Sequence, residues 1–173
     1  MLALLAGGAW WLNDQMQAPD SVESRPGVDG FYMLGAEITA PDAEGLPRYR
    51  LVAAEIRQVA LGGETRLKDV RVEYNVYSAS PWLLTAPDGS VSADQEVLEL
   101  WGGVNAIGDS GDHGPARLIT DRLEVDIETS VARTDDPVQL ILGPQELHGV
   151  GLVAYLLEER LQLESEVHGR FLP

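Results

Sequence analysis

Val70-Arg-Val-Glu-Tyr-Asn-Val76 is the stretch on which the fold turns. Val70, Val72, Tyr74 and Val76 fall on one side of a two-residue period, and Arg71, Glu73 and Asn75 fall on the other. A helix repeats every 3.6 residues and would scatter these side chains around its axis. A strand sorts them into one apolar and one wet face. The same alternation runs outward along the chain. Leu98 and Leu100 alternate with Val97, Glu99 and Trp101. Leu123, Val125 and Ile127 alternate with Glu124, Asp126 and Glu128, and Val138, Leu140 and Leu142 follow. Leu161, Leu163 and Val167 alternate with Gln162, Glu164 and Glu166, and Phe171 continues their face. Half-buried strands of this kind belong to an antiparallel sheet.

Turn chemistry separates the strands. It predicts turns at Asp42-Ala-Glu-Gly45, Gly62-Gly63, Pro87-Asp-Gly89, Gly108 to Pro115 and Asp135-Asp-Pro137. Only residues 151–161 read, weakly, as a helix. A faint repeat accompanies the strands: Leu51-Val-Ala-Ala-Glu-Ile56, Leu84-Thr-Ala-Pro-Asp-Gly89, Leu118-Ile-Thr-Asp-Arg-Leu123 and Leu147-His-Gly-Val-Gly-Leu152. Its spacing of roughly 30 residues suggests stacked units, each a strand pair that adds one rung. The expected architecture is all-β: an elongated antiparallel roll with its apolar faces turned inward.

The chain has 173 residues, a formal charge of −16 and 45% hydrophobic residues. One domain with a sizeable core fits this length, and disorder does not fit this apolar content. A polyphosphate partner needs a basic face, so nucleic acid is excluded. An anionic amphiphile would have to be held by its apolar part. Cysteine is absent, which removes disulfides, thiolate metal sites and Cys nucleophiles.

Residues 1–12, Met-Leu-Ala-Leu-Leu-Ala-Gly-Gly-Ala-Trp-Trp-Leu, carry no charged side chain. As a helix they would span roughly 18 Å, against about 30 Å of hydrocarbon. Two readings remain: a signal peptide without its basic region, or a transmembrane anchor clipped at its start. Trp10 and Trp11 sit where an interfacial belt would lie, which favours the anchor. Ala3, Gly7 and Gly8 form a small-residue stripe suited to packing on another membrane helix. Residues 13–29 then read as a polar linker, and residues 30–173 as the β domain.

Catalytic motifs are weak. Gly108-Asp-Ser-Gly111 copies the nucleophile motif of chymotrypsin-like proteases, yet His113, His148 and His168 all follow Ser110 in the chain. Those proteases place the base before the nucleophile. Asp109, Asp112 and His113 share that loop and form a poor metal set. A solvated hairpin loop is the better reading. His148 and His168 sit in strand patterns, at the surface or an edge. No cofactor, no metal and no enzymatic activity are expected.

The order and spacing of several weak motifs nevertheless resemble a known family. They are Tyr49-Arg-Leu-Val-Ala53 after the Asp42–Gly45 turn, Trp82-Leu-Leu-Thr-Ala86, Leu98-Glu-Leu-Trp-Gly-Gly-Val104, Leu118-Ile-Thr-Asp-Arg-Leu123, Thr134 with Pro137-Val138, Gly151-Leu152 and Val167-His-Gly-Arg-Phe171. Together they resemble LptC, the bitopic inner-membrane component of the lipopolysaccharide transport bridge, over residues 30–173. The family's membrane helix is longer and begins with basic residues, a departure at the start of this chain.

The resemblance implies a β-jellyroll shared with the soluble protein LptA. It implies a helix docked on LptF and LptG of the ABC transporter, with LptB, in the bacterial inner membrane, and a domain in the periplasm. Lipopolysaccharide acyl chains would pass through a V-shaped groove between the sheets. The N-terminal edge would face the transporter's own jellyroll and the C-terminal edge would face LptA. The family's important glycines fall on Gly45 and Gly143, Ala36 falls near lipid entry, and Leu161 and Phe171 fall on the strand that meets LptA. Combined with strand parity, the expected groove comprises Ala36, Ile38, Val70, Val72, Tyr74, Leu98, Leu100, Val125, Ile127, Leu140 and Leu142. The expected partner surface comprises Gly45, Gly143, Leu161, Leu163, Val167 and Phe171. Ordinary core explains the same alternation. The rival function is a periplasmic β-barrel for a small hydrophobic ligand.

Overall fold

The computed structural model describes residues 30–41, 45–58, 60–74, 81–109, 114–158 and 160–171. Nine antiparallel strands follow one another: β1 (Phe31–Pro41), β2 (Pro47–Gln58), β3 (Thr65–Tyr74), β4 (Trp82–Val91), β5 (Val97–Asp109), β6 (Pro115–Asp126), β7 (Val131–Leu142), β8 (Gln145–Tyr155) and β9 (Arg160–Phe171). They form a single sheet in sequence order, so each inner strand pairs only with its chain neighbours. The expectation of an all-β antiparallel roll holds. The expected anchor and linker lie outside the described residues. Among the described residues no helix is long and apolar enough to cross a membrane.

A crease crosses the whole sheet. The ladder skips Gly35 opposite Ala54, and then Asp69 opposite both Ala54 and Pro87. It continues through register shifts beside Gly102-Gly103, Asp121, Asp135-Asp136, Gly151 and Glu166. Positive φ marks Gly35, Asp69, Gly102, Gly103, Gly151 and Glu166. Bulges of this kind bend a strand and re-aim its side chains. Here they divide every strand into two halves. One leaf (leaf A) holds the ends at Phe31, Gln58, Thr65, Val91, Val97, Asp126, Val131, Tyr155 and Arg160. The other (leaf B) holds the opposite ends. Buried positions change parity at the crease in β2, β3 and β6, and keep it in β5 and β7. Leu51 and Ala53 are followed by Ile56, Leu67 by Val70 and Val72, and Leu118 by Leu123 and Val125.

The buried side chains of both leaves form one cluster. Leaf B supplies Val70, Val72, Tyr74, Leu84, Leu118 and Leu140; leaf A supplies Ile56, Leu67, Leu98, Leu100, Leu123 and Val125. At the rim Arg48 Nη1 reaches across and donates to the carbonyls of Ile127 (3.5 Å) and Glu128 (3.1 Å). The leaves therefore face each other over a shared apolar interior.

Three local expectations are corrected. Pro87-Asp-Gly89 and Asp135-Asp-Pro137 are not turns; they lie inside β4 and β7, at the crease. The interrupted ladder needs no donor there, which accommodates proline. The described part of 151–161 is not helical: Gly151–Tyr155 ends β8 and Arg160 begins β9. Leu152 and Ala154 alternate into the core, and burial overrides a weak helical tendency. The turn at Gly62-Gly63 is present, closed by the Gly63 N–H on the Ala60 carbonyl at 2.9 Å. Residues 42–44 and 110–113 of two other expected turns lie outside the described residues.

Candidate lipid groove and strand edges

Most of the expected groove residues lie on one inward surface. Val70, Val72, Tyr74, Leu98, Leu100, Val125 and Leu140 are at most 2% exposed and belong to the common cluster. Ala36, Ile127 and Leu142 are partly buried against it. Ile38, 40% exposed, lines a cavity of about 390 Å³ with Phe31, Tyr49, Leu51, Ile56, Leu67 and Val91. The interior is thus a packed core through its middle and opens between the leaves beside β1. Phe31, Tyr49, Leu51, Ile56, Leu67 and Val91, which line this cavity, were not among the residues expected from the sequence. The spacing of Leu51, Ala53 and Ile56 held the signal for part of this set.

Among the described residues neither edge strand has a partner on its outer side. β1 is hydrogen-bonded only to β2 and β9 only to β8, so the nine described strands form an open roll and not a closed barrel. β1 exposes Phe31, Tyr32, Met33, Leu34 and Ile38. On β9, Leu161 and Leu163 pack on the core, while Val167 is 51% exposed. Phe171 pairs in register with Gln145. Gly45 has φ +83 and Gly143 has φ +53, values that favour glycine. The Gly143 N–H donates to the Pro115 carbonyl at 3.2 Å, tying the β7–β8 turn to β6.

On the outer face beside β9, Glu146 is 7% exposed and fully engaged. Arg170 donates to Glu146 Oε2 through Nε (2.8 Å) and Nη2 (2.6 Å). Gln139 Nε2 donates to Oε1 at 2.6 Å, and His148 Nε2 lies 3.1 Å from the same oxygen. The Arg170 guanidinium, then Gln139, holds the Glu146 carboxyl below the usual range, with burial opposing. His148 and His168 are exposed cross-strand partners, as their strand patterns suggested.

Inside, three polar atoms have no hydrogen-bond partner among the described residues: Tyr74 Oη, Trp82 Nε1 and Ser130 Oγ. Tyr74 stacks on Tyr49 with ring centroids 5.6 Å apart. Burial, then the neighbouring Tyr49, pushes its phenol well above the ordinary range. Among the described residues no group of three His, Asp or Glu side chains is placed to hold a metal. Ser110, Asp112 and His113 lie outside the described residues.

A family described as "LptC: Lipopolysaccharide-assembly, LptC-related" matches residues 1–172. No curated protein matches the sequence. Among solved structures the chain is similar to LptH, the LptA homologous periplasmic component of the conserved lipopolysaccharide transport device from Pseudomonas aeruginosa. That likeness has a TM-score of 0.52 at 11% identity, covering 85% of this chain and 100% of LptH. At this identity it speaks for the fold alone.

Proposed function

Because the chain belongs to the LptC-related lipopolysaccharide-assembly family, we propose that it is the membrane-anchored, periplasm-facing link of a lipopolysaccharide transport bridge. In this reading residues 1–12 contribute to a single inner-membrane anchor. The β1 edge receives lipopolysaccharide from the LptB–LptF–LptG transporter, and the β9 edge passes it to LptA. The protein shelters acyl chains and performs no chemistry on them.

The observation that carries this reading is the open roll. An apolar interior runs between two edge strands whose outer sides have no partner among the described residues, and its cavity lies beside β1. Free edges are templates for pairing with another sheet. Such pairing would join two apolar interiors without a water gap. Each sheltered methylene is worth about 0.8 kcal/mol, so one acyl chain supplies ample binding energy without a cationic site. This suits a protein of charge −16. The packed middle of the interior implies that the leaves part as lipid passes.

The test is parity. A photo-crosslinker at Ala36, Val72 or Leu140 should capture lipopolysaccharide in energised membranes that hold the full-length protein and its transporter. A crosslinker at Glu73 or Glu124, on the outer face, should not. Equal labelling from both faces would sink the groove.

A further inference from the structure

Two aromatic side chains in the interior hold donors that meet no partner among the described residues. Tyr74 and Trp82 are cross-strand partners on β3 and β4, 1% and 3% exposed. Neither Tyr74 Oη nor Trp82 Nε1 has a partner among the described residues. Both rings are pinned, Tyr74 by its stack on Tyr49 and Trp82 by its seat over Gly108. Buried phenol and indole groups normally find a partner, and leaving one unmet costs free energy. Two fixed, neighbouring, unmet groups are a feature of the interior that packing alone does not explain.

We propose that Tyr74 Oη and Trp82 Nε1 are donors for a neutral acyl carbonyl of the transported lipid, an ester or amide oxygen, met when the two leaves part. This rests on the lipid-carrying role proposed above and specifies which part of the lipid is read. The indole can only donate, and the buried phenol stays protonated and donates too. The group they meet must therefore be an acceptor. A bare alkyl segment offers none. A phosphate would be poorly served: burial, the largest influence on the phenol, disfavours charge there, and the donors of the Arg48 guanidinium are engaged by the carbonyls of Ile127 and Glu128. The carbonyl that joins an acyl chain to its headgroup is neutral, accepts two hydrogen bonds and travels at the boundary of the apolar region.

The experiment places a photo-crosslinker at Val72 in the full-length protein, with its transporter, in membranes carrying lipopolysaccharide. Capture is compared among the unaltered chain, Tyr74→Phe and Trp82→Phe. It should fall roughly fivefold for each lost donor, the loss that one neutral hydrogen bond of ordinary strength carries. A dialkyl ether lipid, which has no carbonyl, should be captured equally by the unaltered chain and by Tyr74→Phe. The melting temperature of purified Tyr74→Phe should equal or exceed that of the unaltered protein, because an unmet hydroxyl has been removed. A clear fall in that temperature would show that the hydroxyl is already satisfied and would overturn the proposal. Unchanged lipopolysaccharide capture in both variants would also overturn it, leaving the lipid-carrying role intact. No capture from Val72 in the unaltered chain would overturn both.

Discussion

The Trp82 indole covers Gly108 so closely that a Cβ at 108 would lie 2.5–2.8 Å from Cδ2, Cε2 and Cε3 of the ring. β4 and β5 can keep their register there only because residue 108 has no side chain. Gly108→Ala should therefore cost about 1–3 kcal/mol through overpacking. Denaturant unfolding would show it as a lower midpoint with an unchanged slope. In a Trp82→Leu background the same substitution should cost much less, and additive effects would contradict the contact.

The Glu146 carboxylate gives stability a defined acid limb. Its folded-state carboxyl is held low, by Arg170 first and Gln139 next. The unfolded chain binds the proton more readily. The stabilisation is therefore complete above the ordinary glutamate value of about 4.3 and is lost as pH falls through the depressed folded value. Glu146→Gln should melt below the unaltered protein at neutral pH, and the gap should close under acid. A gap that stays constant from neutral pH to about pH 3 would show that the carboxylate charge is irrelevant.

Left-handed residues along the crease should respond in opposite directions. Glu166 (φ +50) and Asp69 (φ +49) hold a conformation that costs L-residues about 1–2 kcal/mol. Glycine there should stabilise by up to about 1 kcal/mol, more at 166 than at 69, since Asp tolerates this region better. Gly151→Ala should destabilise. Its φ is +81, and a Cβ would meet the Glu164 side chain at 2.6 Å (Oε2) and 3.1 Å (Cβ). Thermal melts of the three variants check both the signs and the order.

From the proposed bridge follows a test of the C-terminal edge. Removing residues 165–173 keeps Leu161 and Leu163 on the core and takes away the outer half of β9. It also strips Glu146 of Arg170, so Glu146→Gln should be combined with it to avoid an unpaired buried carboxylate. The truncated protein should lose LptA while keeping its association with the transporter, with circular dichroism reporting an intact sheet. Unchanged LptA binding would move the junction elsewhere.

Much of this architecture was legible in residue parity. Val70, Val72 and Tyr74, then Leu123 and Val125, point inward as their alternation required. The crease was also written in the chain, in a form that invited a different reading. The four similar segments that begin at Leu51, Leu84, Leu118 and Leu147 fall on β2, β4, β6 and β8. In the first three, positions one, three and six are buried: Leu51, Ala53 and Ile56; Leu84, Ala86 and Gly89; Leu118, Thr120 and Leu123. The step from three to six is the change of face at the bend. Pro87 sits at that step and Asp135-Asp136 at the register shift of β7, and turn chemistry mistook them for hairpins because a bulge and a turn ask for the same residues. The cavity beside β1 was less legible. Phe31-Tyr-Met-Leu34 is apolar on both faces, and period-2 logic cannot orient such a run. The unmet donors of Tyr74 and Trp82 depend on what surrounds them in space, which no local pattern encodes.

Sequential strand order also sets how the protein acquires its shape. Each strand completes its ladder with the segment made just before it, so loop closure is short at every step and each new edge templates the next strand. Assembly can advance from β1 towards β9 in the order in which the chain emerges, without waiting for a distant segment. The reach of Arg48 to the β6–β7 turn, 79 and 80 residues away in sequence, joins distant segments, as does the shared core, and is placed to form late. The hairpins should therefore acquire hydrogen-exchange protection before the clasp between the leaves does, and the nascent roll should be open before it is shut.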